Sequence, residues 1–458
     1  MTDRWLDLRL GDAARKIGSG ATPKGGKEAY LDQGPFALIR SQNVYNDHFS
    51  FPGLAYINDE QARALSNVAV EPADVLLNIT GDSVARCAQV DPSVLPARVN
   101  QHVAIIRTDL SRLDARFLRY YLISPTVQQH LHQLASAGAT RPALTKAMLE
   151  SLSVFAPASV AQQRAIASIL GALDDKIELN RKMSATLEAM ARAIFTSWFV
   201  DFDPVRAKSA GRDTGLAPEI DALFPNTFEE SSIGHVPTGW TLKALSDVTT
   251  ETLGGDWGET KPTSKKPVPT LCMRGTDIPS IQDGGLGRMP VRYVSESSIA
   301  KRALIAGDII IEISGGTPTQ STGRCAFISG DLLARFDVHL AYSNFCRVIR
   351  SASPDLSIYF YRLLRLKYSQ DDFFQFENGT SGIKNLDLKF LSRSLFFAMP
   401  PKSLLSVFNN TYQTILKKQQ LNGAENDVLA DIRDALLPKL ISGELRVSDA
   451  ERILGMSA

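Results

Sequence analysis

Several short loops of the sequence combine arginine with amide and hydroxyl side chains. Such side chains can form paired hydrogen bonds with base edges in the major groove of DNA. In the first half of the chain, the candidate base-contacting residues are Arg40, Gln42, Asn43, Arg86, Asn100, Gln101 and Arg141. In the second half, they are Arg274, Thr276, Gln320, Arg324, Lys384 and Asn385. One such loop alone is more often an ordinary surface turn, so the interpretation rests on their recurrence in both halves.

Two basic loops could contact the phosphate backbone of a nucleic acid. The first, GSGATPKGGKEAY, contains Lys24 and Lys27, and the second, GETKPTSKKP, contains Lys261 and Lys265. The first loop lacks the glycine spacing and the serine or threonine after the lysine that a P-loop requires. A flexible loop on a polyanion and a solvated turn are both compatible with these sequences. The matched positions of the two loops favour phosphate contact.

The residue types that perform covalent catalysis or bind metals do not occur here in a usable pattern. His102 and His339 lie in strand-like runs without a positioned aspartate and nucleophile, so no hydrolytic triad is indicated. Asp201 and Asp203 follow a long helix and fit a capping or turn role better than a metal site. The Asn-Pro-Pro-aromatic motif of an amino-methyltransferase does not occur in the sequence. We therefore expect neither catalytic residues nor metal ligands in this chain.

The composition is that of a globular protein with room for about three domains. Of the 458 residues, 44% are hydrophobic and 22% are charged, and the net charge of +1 neither requires nor excludes a nucleic-acid partner. The four cysteines form no CxxC pair, which favours free buried thiols in a reducing compartment. The sequence has no apolar leader and no apolar run of about 18 residues, so we expect a cytoplasmic protein.

One long segment is suited to positioning these loops. Residues 161–198 contain no proline and a single glycine, Gly171, which predicts one helix about 57 Å long. Apolar residues recur at three- and four-residue spacing and form a coiled-coil seam, interrupted by Asn180 and Ser184. The other seam residues are Ile166, Leu170, Leu173, Ile177, Leu187, Ala191, Ile194 and Trp198.

A second helix with the same seam follows 242 residues later. Its corresponding residues are Phe408, Tyr412, Ile415, Gln419, Leu429, Arg433, Leu436 and Leu440. Asn422 and Asn426 fall where Asn180 and Ser184 fall in the first helix. The shared seam predicts that the two helices pack against each other. Two ordinary amphipathic helices on separate cores are the alternative, which their length disfavours.

The segments before the two helices also repeat. At an offset of 234 residues, IRSQNV at residues 39–44 falls on MRGTDI, and ADVLLNITG at residues 73–81 falls on GDIIIEISG. The offset grows to 238 and then to 242 along the chain, as expected when loops gain residues. Strand-like runs alternate with helical stretches, including one stretch over residues 115–134. We therefore predict two mixed α/β domains related by an internal repeat.

These patterns divide the chain into six segments. The predicted segments are an N-terminal recognition domain at 1–158, a central long helix at 159–200, a connector at 201–240, a C-terminal recognition domain at 241–400, a distal long helix at 401–447 and a tail at 448–458. The two domains keep one apolar framework and differ in their polar loops. This combination is typical of two readers of two different targets.

Three motifs connect the chain to a known family. They are LEAMARAIFTSWFVDFDPVRAK at residues 187–208, GHVPTGW at residues 234–240 and DALLPKLISGELRV at residues 434–447. With these motifs in this order, the sequence resembles the specificity subunits of Type I restriction-modification systems over almost its whole length. The resemblance implies two target-recognition domains separated by two long antiparallel helices that form a coiled coil.

The resemblance also implies a function. Specificity subunits read the two halves of an asymmetric bipartite site in double-stranded DNA and are not catalytic themselves. They dock two modification subunits, which carry S-adenosylmethionine and methylate adenine at N6, while the helices set the spacer between the half-sites. Restriction subunits, which use ATP and magnesium, complete the complex.

From the residues alone, two other classes of protein stay open. The first is a non-catalytic repeat scaffold whose domains bind proteins rather than DNA. The second is a fused methyltransferase, which the missing Asn-Pro-Pro motif argues against. Salt-dependent binding to duplex DNA separates the first from a DNA reader, and cofactor binding by the isolated chain separates the second.

Overall fold

Two compact units make up the chain. The structure is a computed structural model that describes residues 4–23, 25–137, 141–317, 320–379 and 384–455. The first unit consists of Met1–Ile177 with Val428–Ala458, and the second consists of Glu178–Asp427. The boundary between the units falls within both long helices, so each unit contains a part of each helix.

The first unit alternates short strands with short helices. Its strands are β1 (Trp5–Arg9), β2 (Ala14–Ser19), β3 (Phe36–Ile39), β4 (Ala55–Ile57), β5 (Val75–Asn78), β6 (Cys87–Gln89), β7 (Ala97–Val99), β8 (Val103–Thr108) and β9 (Ser153–Pro157). Its helices are α1 (Leu10–Ala13), α2 (Asp59–Ala64), α3 (Ala115–Ile123), α4 (Pro125–Ser136) and α5 (Lys146–Ser151), followed by the start of α6 (Val160–Phe199).

The second unit has the same alternation. Its strands are β10 (Phe228–Ser231), β11 (Gly234–Pro237), β12 (Thr241–Ala244), β13 (Thr249–Gly254), β14 (Val268–Met273), β15 (Val291–Val294), β16 (Ile309–Glu312), β17 (Ser314–Gly315), β18 (Cys325–Phe327), β19 (Leu340–Tyr342), β20 (Cys346–Ser351), β21 (Glu377–Asn378), β22 (Lys384–Leu386) and β23 (Phe396–Met399). Its short helices are α7 (Asp203–Ser209), α8 (Pro218–Asp221), α9 (Leu245–Val248), α10 (Ile278–Gln282), α11 (Glu296–Arg302), α12 (Gly330–Leu333), α13 (Pro354–Ser369) and α14 (Leu388–Ser394). The last helices of the chain are α15 (Lys402–Ser442) and, in the first unit, α16 (Val447–Ile453).

The sheets of the two units have the same topology. In the first unit, four antiparallel strands follow the order β2-β8-β5-β6, and three strands follow the order β4-β3-β7, with β3 and β7 parallel. In the second unit, the orders are β13-β20-β16-β18 and β15-β14-β19, with β14 and β19 parallel. The pair β1-β9 corresponds to β12-β23. The predicted internal repeat and mixed fold class are therefore confirmed.

An ion pair repeats at the same place in both frameworks. Arg107 on β8 donates from Nε to Oδ1 of Asp74 at 2.8 Å, and Arg350 on β20 donates from Nε to Oδ1 of Asp308 at 2.8 Å. Both aspartates are 1% exposed. The hydrogen bond to the aspartate raises the pKa of each arginine above its ordinary value. Both pairs fix the start of a central strand, because each aspartate directly precedes β5 or β16.

In the second unit, the helix pair is held by aromatic packing. The ring centres of Phe195 and Phe408 are 5.8 Å apart, and those of Phe199 and Phe408 are 5.1 Å apart. Tyr359 on α13 contacts Phe195 at 5.4 Å, which joins the sheet-bearing part of this unit to the helices. Aromatic pairs of this kind contribute about 0.5–1.5 kcal/mol each beyond the burial of their area.

The same unit contains the predicted polar centre of the seam. Nδ2 of Asn180 donates to Oδ1 of Asn426 at 3.0 Å, and Nδ2 of Asn422 donates to Oγ of Ser184 at 3.1 Å. The two pairs are equivalent under the 242-residue repeat. Partners run in opposite directions along the two helices, since Asn180 meets residue 426 while Phe195 meets residue 408. The helices are therefore antiparallel, as expected.

In the first unit, the helices are joined by leucines and by one shared carboxylate. Asp174 on α6 accepts from Arg119 on α3 at 2.5 Å and from Arg433 on α15 at 2.9 Å. Burial alone would raise the pKa of Asp174, but the charge of Arg119 and hydrogen bonds from Tyr120 and both arginines outweigh burial and lower it. This carboxylate connects the recognition domain to both helices.

The seam prediction is largely confirmed by burial. The fully buried members of the predicted seam include Ile166, Leu170, Leu173, Ile177, Phe408, Tyr412, Ile415, Leu436 and Leu440. Leu187, Ile194 and Leu429 are only partly buried, and Phe195, which the seam omitted, is 1% exposed. The shift from residue 194 to residue 195 occurs because the large aromatic ring faces α13 as well as α15.

The structure adds detail to two predicted segments. The helical stretch predicted over residues 115–134 consists of two helices, because Pro125 cannot continue α3 and begins α4 instead. The connector is also more ordered than its composition indicated. It forms α7, α8 and the β10-β11 hairpin, and its Phe202, Val236 and Trp240 are buried in the aromatic core of the second unit.

Candidate nucleic-acid interface

A short helical turn over Ser41–Asn43 follows β3 and is fixed to the end of β5. Asn43 is fully buried; its Oδ1 accepts from the backbone N–H of Arg40 at 3.0 Å, and its Nδ2 donates to the carbonyl of Ser50 at 2.9 Å. Nδ2 of Asn78 donates to the carbonyl of Ser41 at 2.9 Å. The amide of Asn43 is therefore used within the chain, and this residue supports the turn rather than facing outward.

Neighbouring loops of the first unit are joined by a chain of side-chain hydrogen bonds. Oγ1 of Thr22 donates to Oε1 of Gln101 at 2.6 Å. Nε2 of Gln101 lies 3.0 Å from Nε2 of His102, and Nδ1 of His102 lies 2.5 Å from Oγ1 of Thr80. Thr80 also forms a backbone bridge with Ala143. Loops that are far apart in sequence thus come together on one surface of this unit.

The two arginines beside this surface contact tyrosine rings of their own unit. Cζ of Arg40 lies 5.1 Å from the ring centre of Tyr30, and Nη2 of Arg40 donates to the carbonyl of Gly53. Cζ of Arg86 lies 4.6 Å from the ring centre of Tyr45. Cation–π contacts at such partly exposed positions contribute about 0.5–1 kcal/mol each. Both arginines therefore stabilise loops.

Three of the candidates in the first unit are exposed, namely Gln42, Gln101 and Arg141. Within the described residues, Arg141 has no recorded ion pair or hydrogen bond, so its guanidinium is available to a ligand. Asn100 is 5% exposed and its Oδ1 accepts from the N–H of His102 at 3.0 Å, which places it in the framework. The candidate Lys24 lies outside the described residues.

The second unit repeats the turn with a charged pair. In the turn Gly275–Asp277, Oδ2 of Asp277 accepts from the backbone N–H of Arg274 at 2.9 Å and from its Nε at 3.0 Å. Burial alone would raise the pKa of Asp277, but hydrogen bonds from Arg274 and from the N–H of Arg288 lower it below its ordinary value. Arg274 corresponds to Arg40, and both hold the turn that follows a strand.

Arg324 forms the strongest contact of this surface. It donates from Nε and Nη2 to the two carboxylate oxygens of Glu312, at 2.9 and 2.7 Å. Glu312 is 4% exposed, and its side chain fills the space beside Gly275 and Gly315, where an added Cβ would overlap it. Hydrogen bonding to Glu312 raises the pKa of Arg324. Arg324 thus holds Glu312 at the end of β16, beside Gly275 of the turn, and Glu312 occupies the position that Asn78 has in the first unit.

Other candidates of the second unit lie on its surface. Exposed side chains in this group are Lys261, Lys265, Thr276, Gln320 and Asn385. Nε2 of Gln320 donates to the hydroxyl of Tyr368 at 3.2 Å. Nζ of Lys384 lies 2.9 Å from a carboxylate oxygen of Glu377 and 4.8 Å from the ring centre of Phe374, so this lysine is half-buried and paired.

An exposed aromatic residue on this surface was not predicted. Phe345 is 60% exposed, and its carbonyl accepts from the N–H of Ile313 at 2.8 Å, beside the end of β16. The neighbouring Asn344 uses its Oδ1 to accept from the N–H of Trp257 at 3.1 Å. Phe345 occupies the place of His102 in the first unit, since both precede the strand that pairs with the central strand. That equivalence, at an offset of 243, is a sequence signal that could have identified it.

The candidate surfaces offer hydrogen-bonding groups rather than reactive ones. Among the described residues, no group of three or more His, Cys, Asp or Glu side chains could hold a metal ion. Burial raises the pKa of the thiols of Cys87, Cys272, Cys325 and Cys346 to about 12. Such thiols are protonated and inert at neutral pH. The exposed amides and hydroxyls of these loops can form hydrogen bonds with a polar ligand.

Comparisons with known proteins agree with this architecture. The family model described as the Type I restriction modification DNA specificity domain matches residues 3–189. The Type I restriction enzyme HindI specificity subunit of Haemophilus influenzae is 25% identical over 492 residues, covering 96% of this chain and 99% of that protein. The MjaIX specificity subunit of Methanocaldococcus jannaschii is 26% identical over 345 residues, covering 73% and 70%. The crystal structure of a Type I S subunit from M. genitalium, 14% identical, covers 96% of both chains with a TM-score of 0.53 and shares the fold.

The fold and the duplicated loop surfaces define a protein with two related recognition domains mounted on a shared helix pair. Residues 3–189 of the chain match the Type I restriction modification DNA specificity domain, and over most of its length the chain is similar to specificity subunits of Type I restriction enzymes. Among the helices that the structure describes, none has the length and apolar character of a membrane-spanning segment.

Proposed function

We propose that the chain reads the two halves of an asymmetric, bipartite DNA site for a Type I restriction-modification complex. The observation that carries this proposal is the duplicated framework. In both units, the same turn, strand end and loops are held by internal hydrogen bonds, while the exposed side chains differ. A framework that is kept while its exposed groups change fits two readers of two different sequences.

The exposed amides, hydroxyls and one arginine are the proposed base readers. In the first unit these are Gln42, Gln101 and Arg141, and in the second they are Thr276, Gln320 and Asn385. Phe345 offers an apolar surface that suits the methyl group of thymine. Arg40, Arg86, Arg274, Arg324 and Lys384 have partners within the chain, and we propose that they position the loops.

Phosphate contacts are assigned to the exposed lysines. Lys261 and Lys265 lie in one exposed loop of the second unit, and Lys24 is proposed from the sequence for the first. Lysine contacts to phosphate add affinity without sequence preference and make binding depend on salt. They would hold the duplex while the amides and hydroxyls select the bases.

The chemistry of the complex belongs to its partners in this proposal. Two modification subunits would dock beside the helices, and they would use S-adenosylmethionine to methylate adenine at N6. Restriction subunits would use ATP and magnesium to move and cut unmethylated DNA. The chain itself would be the non-catalytic specificity subunit, and its similarity to the specificity subunits of Type I restriction enzymes supports this role.

The helix pair would set the spacer between the half-sites. Helices α6 and α15 have 40 and 41 residues, and each is continuous from end to end. Two major-groove readers on one face of a duplex are separated by about one helical turn, or 34–36 Å, or by multiples of it. Deleting four residues from each helix should therefore shorten the spacer.

Methylome sequencing of cells that express the complete system tests the proposal. Exchanging residues 8–158 for those of another family member should change one half of the methylated motif and keep the other. Exchanging residues 241–400 is the matched control and should change the opposite half. If neither exchange alters the motif, the assignment of the readers is wrong. If the complex with its modification subunits shows no salt-dependent binding to duplex DNA, a protein-binding scaffold becomes the better explanation.

A further inference from the structure

Each long helix contains one glycine, and each glycine is the place where a recognition domain meets the helix. Gly171 is the single glycine of α6, and Gly423 is the single glycine of α15. Glycine inside a helix costs about 1 kcal/mol relative to alanine. Glycine therefore destabilises the helix at both positions, and helix formation alone does not explain its presence there.

At Gly423, the backbone of α15 touches the backbone of the recognition domain. A Cβ added at Gly423 would overlap the carbonyl oxygen of Gly284, in the loop after α10. Gly284 has a φ of +84°, and a Cβ added there would overlap the carbonyl oxygen of Gln419. Two glycines thus allow direct contact between two main chains, which no larger residue permits without movement.

One arginine connects the same loop to the helix. Arg335, just after α12, donates from Nη1 to the carbonyl of Gly284 at 2.5 Å and to Oε1 of Gln420 at 3.0 Å. Its Nη2 donates to Oδ2 of Asp427 at 2.6 Å. The Arg335 side chain is 13% exposed. A planar guanidinium with three acceptors fixes direction as well as distance.

The clamped loop is continuous with the proposed reading surface. Helix α10 begins immediately after the turn Gly275–Asp277 and ends just before Gly284. Nε2 of Gln282 donates to the carbonyl of Cys325 at 2.6 Å, next to Arg324. Helix α10 and this hydrogen bond therefore connect Gly284 to the turn that carries Thr276 and to the strand that follows Arg324.

We propose that Gly423, Gly284 and Arg335 are positioning residues. They fix the position of the C-terminal reading loops along the axis of α15 and the rotation of these loops about it, and they thereby set the spacer of the bipartite site. This inference rests on the proposed function. The spacer is sensitive to such positioning, because one base pair changes the separation by about 3.4 Å and the rotation by about 35°.

Gly171 provides the matched control in the first unit. A Cβ added there would overlap the guanidinium of Arg116, the far end of a flexible side chain that is 36% exposed. Arg116 donates to the carbonyl of Gly171 at 3.2 Å and to Asp175 at 2.5 Å. The side chain can move aside, whereas the main chain at Gly284 cannot do so without moving its domain.

The test is methylome sequencing of the full system carrying Gly423→Ala or Gly171→Ala. For Gly423→Ala, we expect the bases of both half-sites to stay the same. Methylation at the native spacer should fall roughly tenfold, the effect of about one mismatched base pair, and sites with a spacer changed by one base pair should gain methylation. Gly171→Ala should keep the native spacer and its methylation rate.

The outcomes separate this inference from the proposed function. Native methylation at the native spacer in Gly423→Ala overturns the positioning role. If that variant does not fold, Asp427→Asn and Arg335→Gln decide, because each removes a clamp contact without adding volume; an unchanged spacer preference in both overturns the role. If the unsubstituted system shows no bipartite motif at all, the proposed function itself fails.

Discussion

The role of Arg324 can be decided by replacing it with methionine. In the sequence, Arg324 is a candidate base reader, but in the structure it is the partner of buried Glu312. Replacing a residue that only reads a base should leave stability unchanged, whereas replacing a residue that supports a loop should lower it. Arg324→Met removes the charge and keeps much of the apolar stem, so packing changes little.

The expected loss of stability follows from the buried carboxylate of Glu312, which has lost its partner in this variant. Glu312 has a side chain that is 5% exposed and receives two hydrogen bonds from Arg324, at 2.9 and 2.7 Å. Removing one partner of a buried ion pair costs about 3–5 kcal/mol. Because the Arg324 side chain is 23% exposed, water can reach the site in part, and we expect a loss of about 3 kcal/mol. For a unit of this size, that loss lowers the melting temperature by about 6–12 °C.

Differential scanning calorimetry of the full chain measures this loss, and two further variants control it. Arg141→Met changes an exposed arginine that forms no ion pair or hydrogen bond with the part of the chain that the structure describes, and it should alter stability by less than about 0.5 kcal/mol. Adding Glu312→Gln to Arg324→Met removes the buried charge and should recover about half of the lost stability. A melting temperature unchanged by Arg324→Met, together with relaxed specificity at one base, would refute the support role and restore Arg324 as a reader.

Three further predictions concern the turn, the basic loop and the helix pair. The depressed pKa of Asp277 means that its contribution to stability is fully present above its ordinary pKa, about 3.9, and is lost as pH falls through the lower folded-state pKa. The stability difference between the native chain and Asp277→Asn, measured by urea unfolding, should therefore shrink below about pH 4; a constant difference would contradict this. Lys265→Ala should lower the slope of log affinity against log salt by about 1 and leave the motif unchanged, as measured by fluorescence anisotropy. Replacing Asn180 and Asn422 by leucine should raise the melting temperature, since both Oδ1 atoms are buried and have no hydrogen-bond partner among the described residues. The same change should loosen the register of the two helices, seen as faster hydrogen exchange, and slower exchange would count against a register role.

The helices and the repeat could be predicted because both depend on patterns within the sequence. The period of the apolar residues predicted a seam whose members, such as Leu170 and Leu440, are fully buried. The polar interruptions at matching places predicted a shared polar centre, which in the structure includes the contact of Asn180 with Asn426. Matching offsets predicted two equivalent sheets, because the same strand residues recur at the same spacing.

The roles of the arginines could not be predicted, because they depend on tertiary partners. Arg324 lies twelve residues from Glu312, and nothing in the spacing shows that one strand end brings the two together. The arginine of a loop has the same sequence signature whether it faces a base or a buried carboxylate. Gln42 and Arg141, whose exposure supports a reading role, stay predictions until a motif is measured.

The close contact at Gly423 was also beyond the sequence. A lone glycine in a long helix can mark a kink, a ligand or a neighbouring backbone, and these have the same local pattern. Only the position of Gly284 distinguishes them. For Phe345, the equivalence to His102 in the repeat gives its place in the fold, but its exposure depends on the loop that carries it.

The unlike attachments at Gly171 and Gly423 make the two halves of the chain unequally free to drift during evolution. At Gly171, a single substitution meets a side chain that can adopt another rotamer, so the geometry is kept and the protein stays functional. At Gly423, a single substitution displaces the main chain of the loop at Gly284, so the geometry changes at once and methylation at the native spacing falls. The N-terminal attachment should therefore accumulate substitutions at a constant spacing, whereas new spacings should arise by substitutions at the C-terminal attachment.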